Sequence, residues 1–171
     1  MRDSTFTELY RNEFVRKDDP KIEFRGRLDS TIASAAYCSS LFLAEKNIEF
    51  SEYVAQVTKA LMEVMRADIV GGVPRIANIM GEDMDKLHEM SHNPQKYFKK
   101  GHFVPAPDSG VALAYLNVLR THVRECERAY IRVNADLEAM SEVFVSISLA
   151  LNRISSAVYV LMCKYASENG I

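Results

Sequence analysis

The amino-acid sequence predicts an all-α fold: an up-and-down bundle of about five helices, in a single domain over 1–171. Three observations carry that expectation. Apolar residues recur at spacings of three and four over long stretches, strict alternation is scarce, and the breaks between periodic stretches hold capping residues, glycine or proline.

Residues 1–19 read as an N-terminal segment ahead of the first helix. The run RKDDPKIEFRGRLDST sets Lys17, Asp18, Asp19, Arg25, Arg27 and Asp29 around a proline and a glycine, and a solvated helix start is its plain reading. Leu28, Ile32, Ala35 and Phe42 outline the first helix, which runs to about Lys46. Tyr53, Val57, Ala60, Val64 and Ile69 outline a second, capped by Ser51 and ended by Gly71, Gly72 and Pro74.

The segment GEDMDKLHEMSHNPQKYFKKG, between Gly81 and Gly101, predicts two short helices. Acidic residues start one, Asn93-Pro94 starts the other, and Gly101 stops it. The following HFVPAPDSG, with two prolines and a polar end, predicts an extended loop. Loops placed this way often carry function.

Ala112, Leu116, Leu119, Val123, Cys126, Tyr130 and Val133 form the penultimate helix. Asn134 to Asp136 supply a polar break. Leu137, Met140, Phe144, Ile147, Leu151, Ile154, Val158, Leu161 and Tyr165 then form one long final helix, antiparallel to its predecessor.

Net charge is −2, so nothing attracts nucleic acid or anionic lipid in general and any anion site must be local. Cys38, Cys126 and Cys163 are far apart with no C-x-x-C pair, which argues against a disulfide framework and fits a reducing cytoplasm. No signal-peptide core and no uninterrupted apolar run of the roughly 20 residues that span a bilayer are found, so a soluble protein is expected.

Two polar patterns interrupt the apolar stripes. In LNVLRTHVRECER, Arg120, Arg124 and Glu127 are spaced i, i+4, i+7 on one helix flank beside the core stripe. The guanidinium fork is suited to polyphosphate because it makes paired hydrogen bonds and keeps its charge when partly desolvated. The plainer alternative is a solvated face with an Arg124–Glu127 ion pair. In ALNRISSAVYVLM, Asn152, Ser155 and Ser156 form a polar patch that the helical hairpin would bring level with the arginines, or that would satisfy itself between helices.

His88 and His92 are also spaced i, i+4, and Glu89 and His92 make a Glu-x-x-His. A di-iron centre needs two such motifs on long helices, so no metal ligands are expected. Nucleotide-binding glycine loops, nucleophile elbows and catalytic Cys-His signatures are absent.

The ordered motifs KDDPKIEFRGRLDSTIA, MRAD, DKLHEMSHNPQKYF, HFVP, LNVLRTHVRE and ALNRISSAVYVLM resemble the ATP-dependent corrinoid adenosyltransferases. The resemblance is to the ethanolamine-utilisation (EutT) type, and more distantly to the PduO type. It implies a cobalamin adenosyltransferase-like bundle that transfers the 5′-deoxyadenosyl group of ATP to cob(I)alamin and releases triphosphate. A corrinoid or nucleotide carrier without turnover is the alternative.

It further implies Mg²⁺, a homo-oligomer with a trimer favoured, and a cytoplasmic setting with a link to ethanolamine ammonia-lyase or its microcompartment. By the family's pattern, Arg120 and Arg124 would contact triphosphate and Glu127 would orient them. Asn152 would bind near the nucleotide, and Lys17, in the N-terminal segment, would serve the phosphates. Asp29 matches a carboxylate that pairs across a subunit boundary with the arginine at the position of Arg120. Phe103 looks like the aromatic that closes the lower face of the corrin.

Ser156 stands where the PduO type has Asp, and the double serine agrees with the EutT type. That type also carries an N-terminal His- and Cys-rich metal motif, which these 171 residues do not contain.

Overall fold

The computed structural model describes residues 4–10, 13–133 and 141–171. Its elements are β1 (Phe6–Tyr10), β2 (Glu13–Arg16), α1 (Pro20–Ala44), α2 (Ile48–Val70), α3 (Met84–His92), α4 (Pro94–Phe98), α5 (Val111–Val133) and α6 (Glu142–Glu168). The all-α expectation holds, with four long helices and two short ones among the described residues.

The long helices form a closed ring in the order α1, α2, α6, α5. Phe42 meets Phe50, Phe50 meets Tyr165, Phe144 meets Tyr130, and Tyr130 meets Phe24. Each neighbouring pair is antiparallel, as the α1–α5 contacts Phe24–Tyr130 and Tyr37–Tyr115 illustrate. Helices α2 and α5 therefore sit diagonally and point the same way, which requires the long connection 71–110 between them. That connection carries α3 and α4, and both pack on α6.

Each helix lines the interior with the stripe its sequence dictates. Leu116, Leu119, Val123 and Cys126 of α5 face Ile147, Leu151, Ile154, Val158 and Leu161 of α6, all fully buried. By length and composition α6 could cross a membrane. Here its apolar stripe is the floor of the core, and its middle is polar.

Several local expectations need correction. Helix α1 starts at Pro20, within the charged entry and directly after the 1–19 segment, because Asp19 caps it by accepting from Lys21 N–H at 2.8 Å. Helix α2 is capped by Asn47, which accepts from Phe50 N–H at 3.2 Å. Ser51 lies inside α2 and holds it to α1, its carbonyl accepting from the Ser39 hydroxyl at 2.8 Å. The last α4 residue is Phe98, and the left-handed Lys99 (φ 54°) turns the chain before Gly101. Helix α6 opens at Glu142, with Ser141 accepting from Phe144 N–H. The predicted break at 134–136, Leu137 and Met140 fall outside the described residues.

The N-terminal segment holds an antiparallel hairpin that pairs Thr7 with Val15 and Glu8 with Phe14. Its anchor is Arg25 of α1. One guanidinium nitrogen meets Asp68 of α2 at 2.7 Å and another donates to the Leu9 carbonyl of β1 at 2.7 Å. Only 16% and 6% of the two side chains stay exposed, so Asp68 holds a charge that needs its partner.

Arg25→Ala is expected to lower unfolding free energy by about 3 kcal/mol, read as a drop in the urea midpoint. The double variant with Asp68→Asn should regain part of the loss; equal midpoints for wild type and Arg25→Ala would contradict the anchor.

Candidate functional site

A cleft of about 450 Å³ opens between α5 and α6 and is walled by α3 and the loop before α5. Arg120 and Arg124 enter it from α5, Asn152, Ser155, Ser156 and Tyr159 from α6, His88 and His92 from α3, and Phe103 from the loop. Five predicted site residues thus meet in one place: Phe103, Arg120, Arg124, Asn152 and Ser156. Glu127 joins them from one turn further along α5 by accepting from the Asn152 amide at 3.0 Å.

The plainer alternative for the arginine flank was an Arg124–Glu127 pair, and no such pair forms. Glu127 is engaged by Asn152 instead. Arg120 lays two of its nitrogens on the Asn117 side-chain oxygen, at 3.1 and 3.0 Å. Neither arginine makes an ion pair with a described residue. Burial first, and the charge of Arg124 second, lower the pKa of Arg120 from its usual value. Two cations held close without a carboxylate make a local anion site on a chain of slight negative net charge.

The polar centre of α6 has three outlets. The Asn152 carbonyl accepts from Ser155 and Ser156, at 2.8 and 3.3 Å, while its side chain turns to Glu127. Arg153 pairs with Asp85 of α3 at 2.9 Å and also donates to the Asn152 side-chain oxygen at 3.4 Å. Ser156 meets His88 Nδ1 at 3.0 Å. This patch therefore fixes α3 as a cleft wall and positions Asn152 beside the arginines.

His88 and His92 are in edge-on ring contact, centroids 4.3 Å apart. Glu89 is occupied by Lys86, Lys96 and Tyr97. Among the described residues no cluster of three metal-ligating side chains occurs.

Lys17 and Asp29 do not line this cleft. Lys17 is exposed where the hairpin runs toward α1, with its backbone N–H on the Thr5 carbonyl. Asp29 is exposed on α1, and no described residue pairs with it. Sequence reasoning missed His102 and Tyr159, although Tyr159 stands at i+7 from Asn152, the spacing that joins Arg120 to Glu127 on α5.

Fold and cleft together define a class: an all-helical bundle with a polyanion-receptive cleft between its last two helices. The sequence model for cobalamin adenosyltransferases matches residues 2–165, and the chain belongs to that family. The corrinoid adenosyltransferase EutT of Escherichia coli (strain K12) is 38% identical over 160 residues, which cover 92% of this chain and 57% of that protein. The Salmonella typhimurium (strain LT2) corrinoid adenosyltransferase EutT is 36% identical over the same coverage. The chain thus spans a little over half the length of these relatives.

Burial, then the charges of Arg153 and His92, depress the pKa of His88, and Asp85 opposes them only in part. The unfolded chain therefore binds this proton more readily, and its stability contribution is complete above the ordinary value of 6.5. That contribution is lost as pH falls through 6.5 toward the depressed folded value. Replacing His88 with Gln should flatten this loss, seen as a smaller fall in melting temperature between pH 7.5 and pH 5; identical slopes would exclude His88 as the source.

Proposed function

We propose that the protein transfers the 5′-deoxyadenosyl group of ATP to cob(I)alamin, giving adenosylcobalamin and triphosphate in ethanolamine utilisation. The observation that carries this reading is the unneutralised pair Arg120 and Arg124, facing Asn152 in a cleft of a cobalamin adenosyltransferase-family chain. The EutT relatives, named corrinoid adenosyltransferases, support the same substrates.

The chemistry explains why the cleft needs no protein nucleophile. Reduced cobalt supplies the electron pair and forms a Co–C bond at ribose C5′. The C5′–O bond breaks, and the pair passes to the departing triphosphate. The protein's tasks are to align the two substrates and to stabilise the oxygen that becomes anionic. Arg120 and Arg124 hold the polyphosphate, Glu127 fixes Asn152, and Asn152 and Ser156 border the nucleotide. Phe103 stands at the rim where the corrin would approach.

Mg²⁺ belongs to this reading as a companion of the phosphates. A cation with mostly water and phosphate ligands suits a site with no acidic cluster among the described residues.

Homo-oligomerisation, with a trimer favoured, belongs to it as well. A second copy would bring its Asp29 carboxylate to the open side of Arg120, and its Lys17 to the phosphates. Cytoplasmic work beside ethanolamine ammonia-lyase or its microcompartment is the matching setting.

Arg124→Ala should keep the wild-type melting temperature within a few degrees, because the side chain is exposed. Its adenosylation rate should fall by about 10²-fold or more, measured anaerobically with reductant, Mg²⁺ and cob(I)alamin. Wild-type turnover in that variant would overturn the assignment. Corrinoid and ATP binding by the wild type without triphosphate release would mark a carrier instead.

A further inference from the structure

Residues 99–110, between α4 and α5, form no helix or strand and carry Phe103 to the cleft. Tyr159 of α6 reaches this loop with its hydroxyl. Phe103 N–H donates to that oxygen at 3.1 Å, and His102 Nδ1 lies 3.2 Å from it. The His102 ring stacks on the Tyr159 ring, centroids 5.8 Å apart and planes 14° from parallel, and the Phe103 ring lies against it at 6.3 Å. Among the described residues, no other backbone hydrogen bond joins 102–105 to the helices.

Lys100 adds a cation over the Phe103 ring at 4.8 Å and a bond to the Ile171 carbonyl. The Tyr159 tie rests on a half-buried aromatic in the most buried helix. Burial raises the pKa of Tyr159, so the hydroxyl keeps its proton at neutral pH and can offer it to His102 while accepting from Phe103.

We infer that Tyr159 is a positioning residue: its hydroxyl latches the His102–Phe103 loop onto α6 and thereby sets the Phe103 ring at the mouth of the arginine cleft. This rests on the proposed function only where it assigns the ring to the corrin side. The hydroxyl, on the cleft face of α6 one turn beyond Ser155, also lies within reach of the Cys163 thiol on its own helix, but among the described residues it is the one helix group that holds the Phe103 amide.

Selectivity follows from geometry. The phosphate side is held by Arg120 and Arg124 on regular helix; Arg120 feels Tyr159 electrostatically, but its hydrogen bonds go to Asn117 and not to the latch. Loss of the hydroxyl should loosen the aromatic and spare the anion site.

The test is Tyr159→Phe, which keeps the ring and removes one oxygen. By NMR hydrogen exchange, the Phe103 amide should exchange at least tenfold faster, with α5 and α6 amides unchanged. Cobalamin affinity, from absorbance titration, should weaken about fivefold, while the Kd for ATP with Mg²⁺ stays within twofold. His102→Ala, which leaves the Phe103 bond in place, should keep Phe103 exchange within threefold of wild type.

An unchanged Phe103 amide in Tyr159→Phe overturns the latch. Faster exchange with unaltered cobalamin affinity, or a parallel loss of ATP affinity, overturns its role on the corrin side. A wild-type protein that binds cobalamin but makes no adenosylcobalamin would defeat the proposed function alone, since the exchange measurement does not require turnover.

Discussion

Two like charges on adjacent turns of one helix, neither in an ion pair with a described residue, are the constraint around which the cleft is arranged. A helix surface left to itself would relieve them by pairing Arg124 with Glu127, a gain of a few tenths of a kcal/mol. The Asn152 amide takes Glu127 instead, and Asn117 offers Arg120 a neutral oxygen. Both choices leave the positive charge available. They also explain why a core helix carries asparagine: its side-chain amide donates to Glu127 across the interface, while the main-chain carbonyl of the same residue serves Ser155 and Ser156.

The same helix builds its second wall by polar means. Arg153 to Asp85 and Ser156 to His88 fix α3, while the buried stripe beneath them joins α6 to α5 and α2. The two sides of the cleft therefore differ in character. One is a pair of long helices locked by Leu116, Leu119, Leu151 and Ile154, and the other is a short helix and an irregular loop held by a handful of hydrogen bonds. Segments with few buried apolar contacts open at lower free energy than the core. The anion side is thus the rigid one and the side with the aromatic the more yielding one.

The long helices were legible because a stripe of period 3.6 sustained over six turns has no competing interpretation. Two flank patterns, Arg120–Arg124–Glu127 and Asn152–Ser155–Ser156, were legible for the same reason, and the hairpin of α5 and α6 brings them to one level. The N-terminal strands were not, since FTELY shows no alternation of apolar and polar residues although its exposure alternates, and what holds them is Arg25, a residue on a different element. Ser51 and Asn47 are both competent caps four residues apart, and only packing of α2 on α1 selects Asn47. Tyr159 with His102 escaped because a loop without period gives no clue to the residue it will meet. Lys17 and Asp29 lie outside the cleft that Arg120 lines, a separation that neither residue's local pattern announces.

The cost of the unpaired arginines has a use that its size makes plain. Unit charges about 6 Å apart repel by ~0.7 kcal/mol in water and by ~3 kcal/mol at the effective dielectric of a protein surface. Arg124 is exposed and Arg120 half-buried, and like-charge pairs one turn apart on a helix cost only a few tenths of a kcal/mol, so screening holds the value near the lower limit. An arriving polyanion turns this repulsion into two attractions. On the proposed reaction the gain is larger still once C5′–O breaks, because the leaving oxygen takes on a charge that the intact nucleotide lacked. An interaction that strengthens as charge develops lowers the barrier, whereas one equal for substrate and transition state only tightens binding. A carboxylate beside Arg124 would have cancelled that difference in advance, which is why the Asn152 bond to Glu127 counts for more than its modest energy suggests.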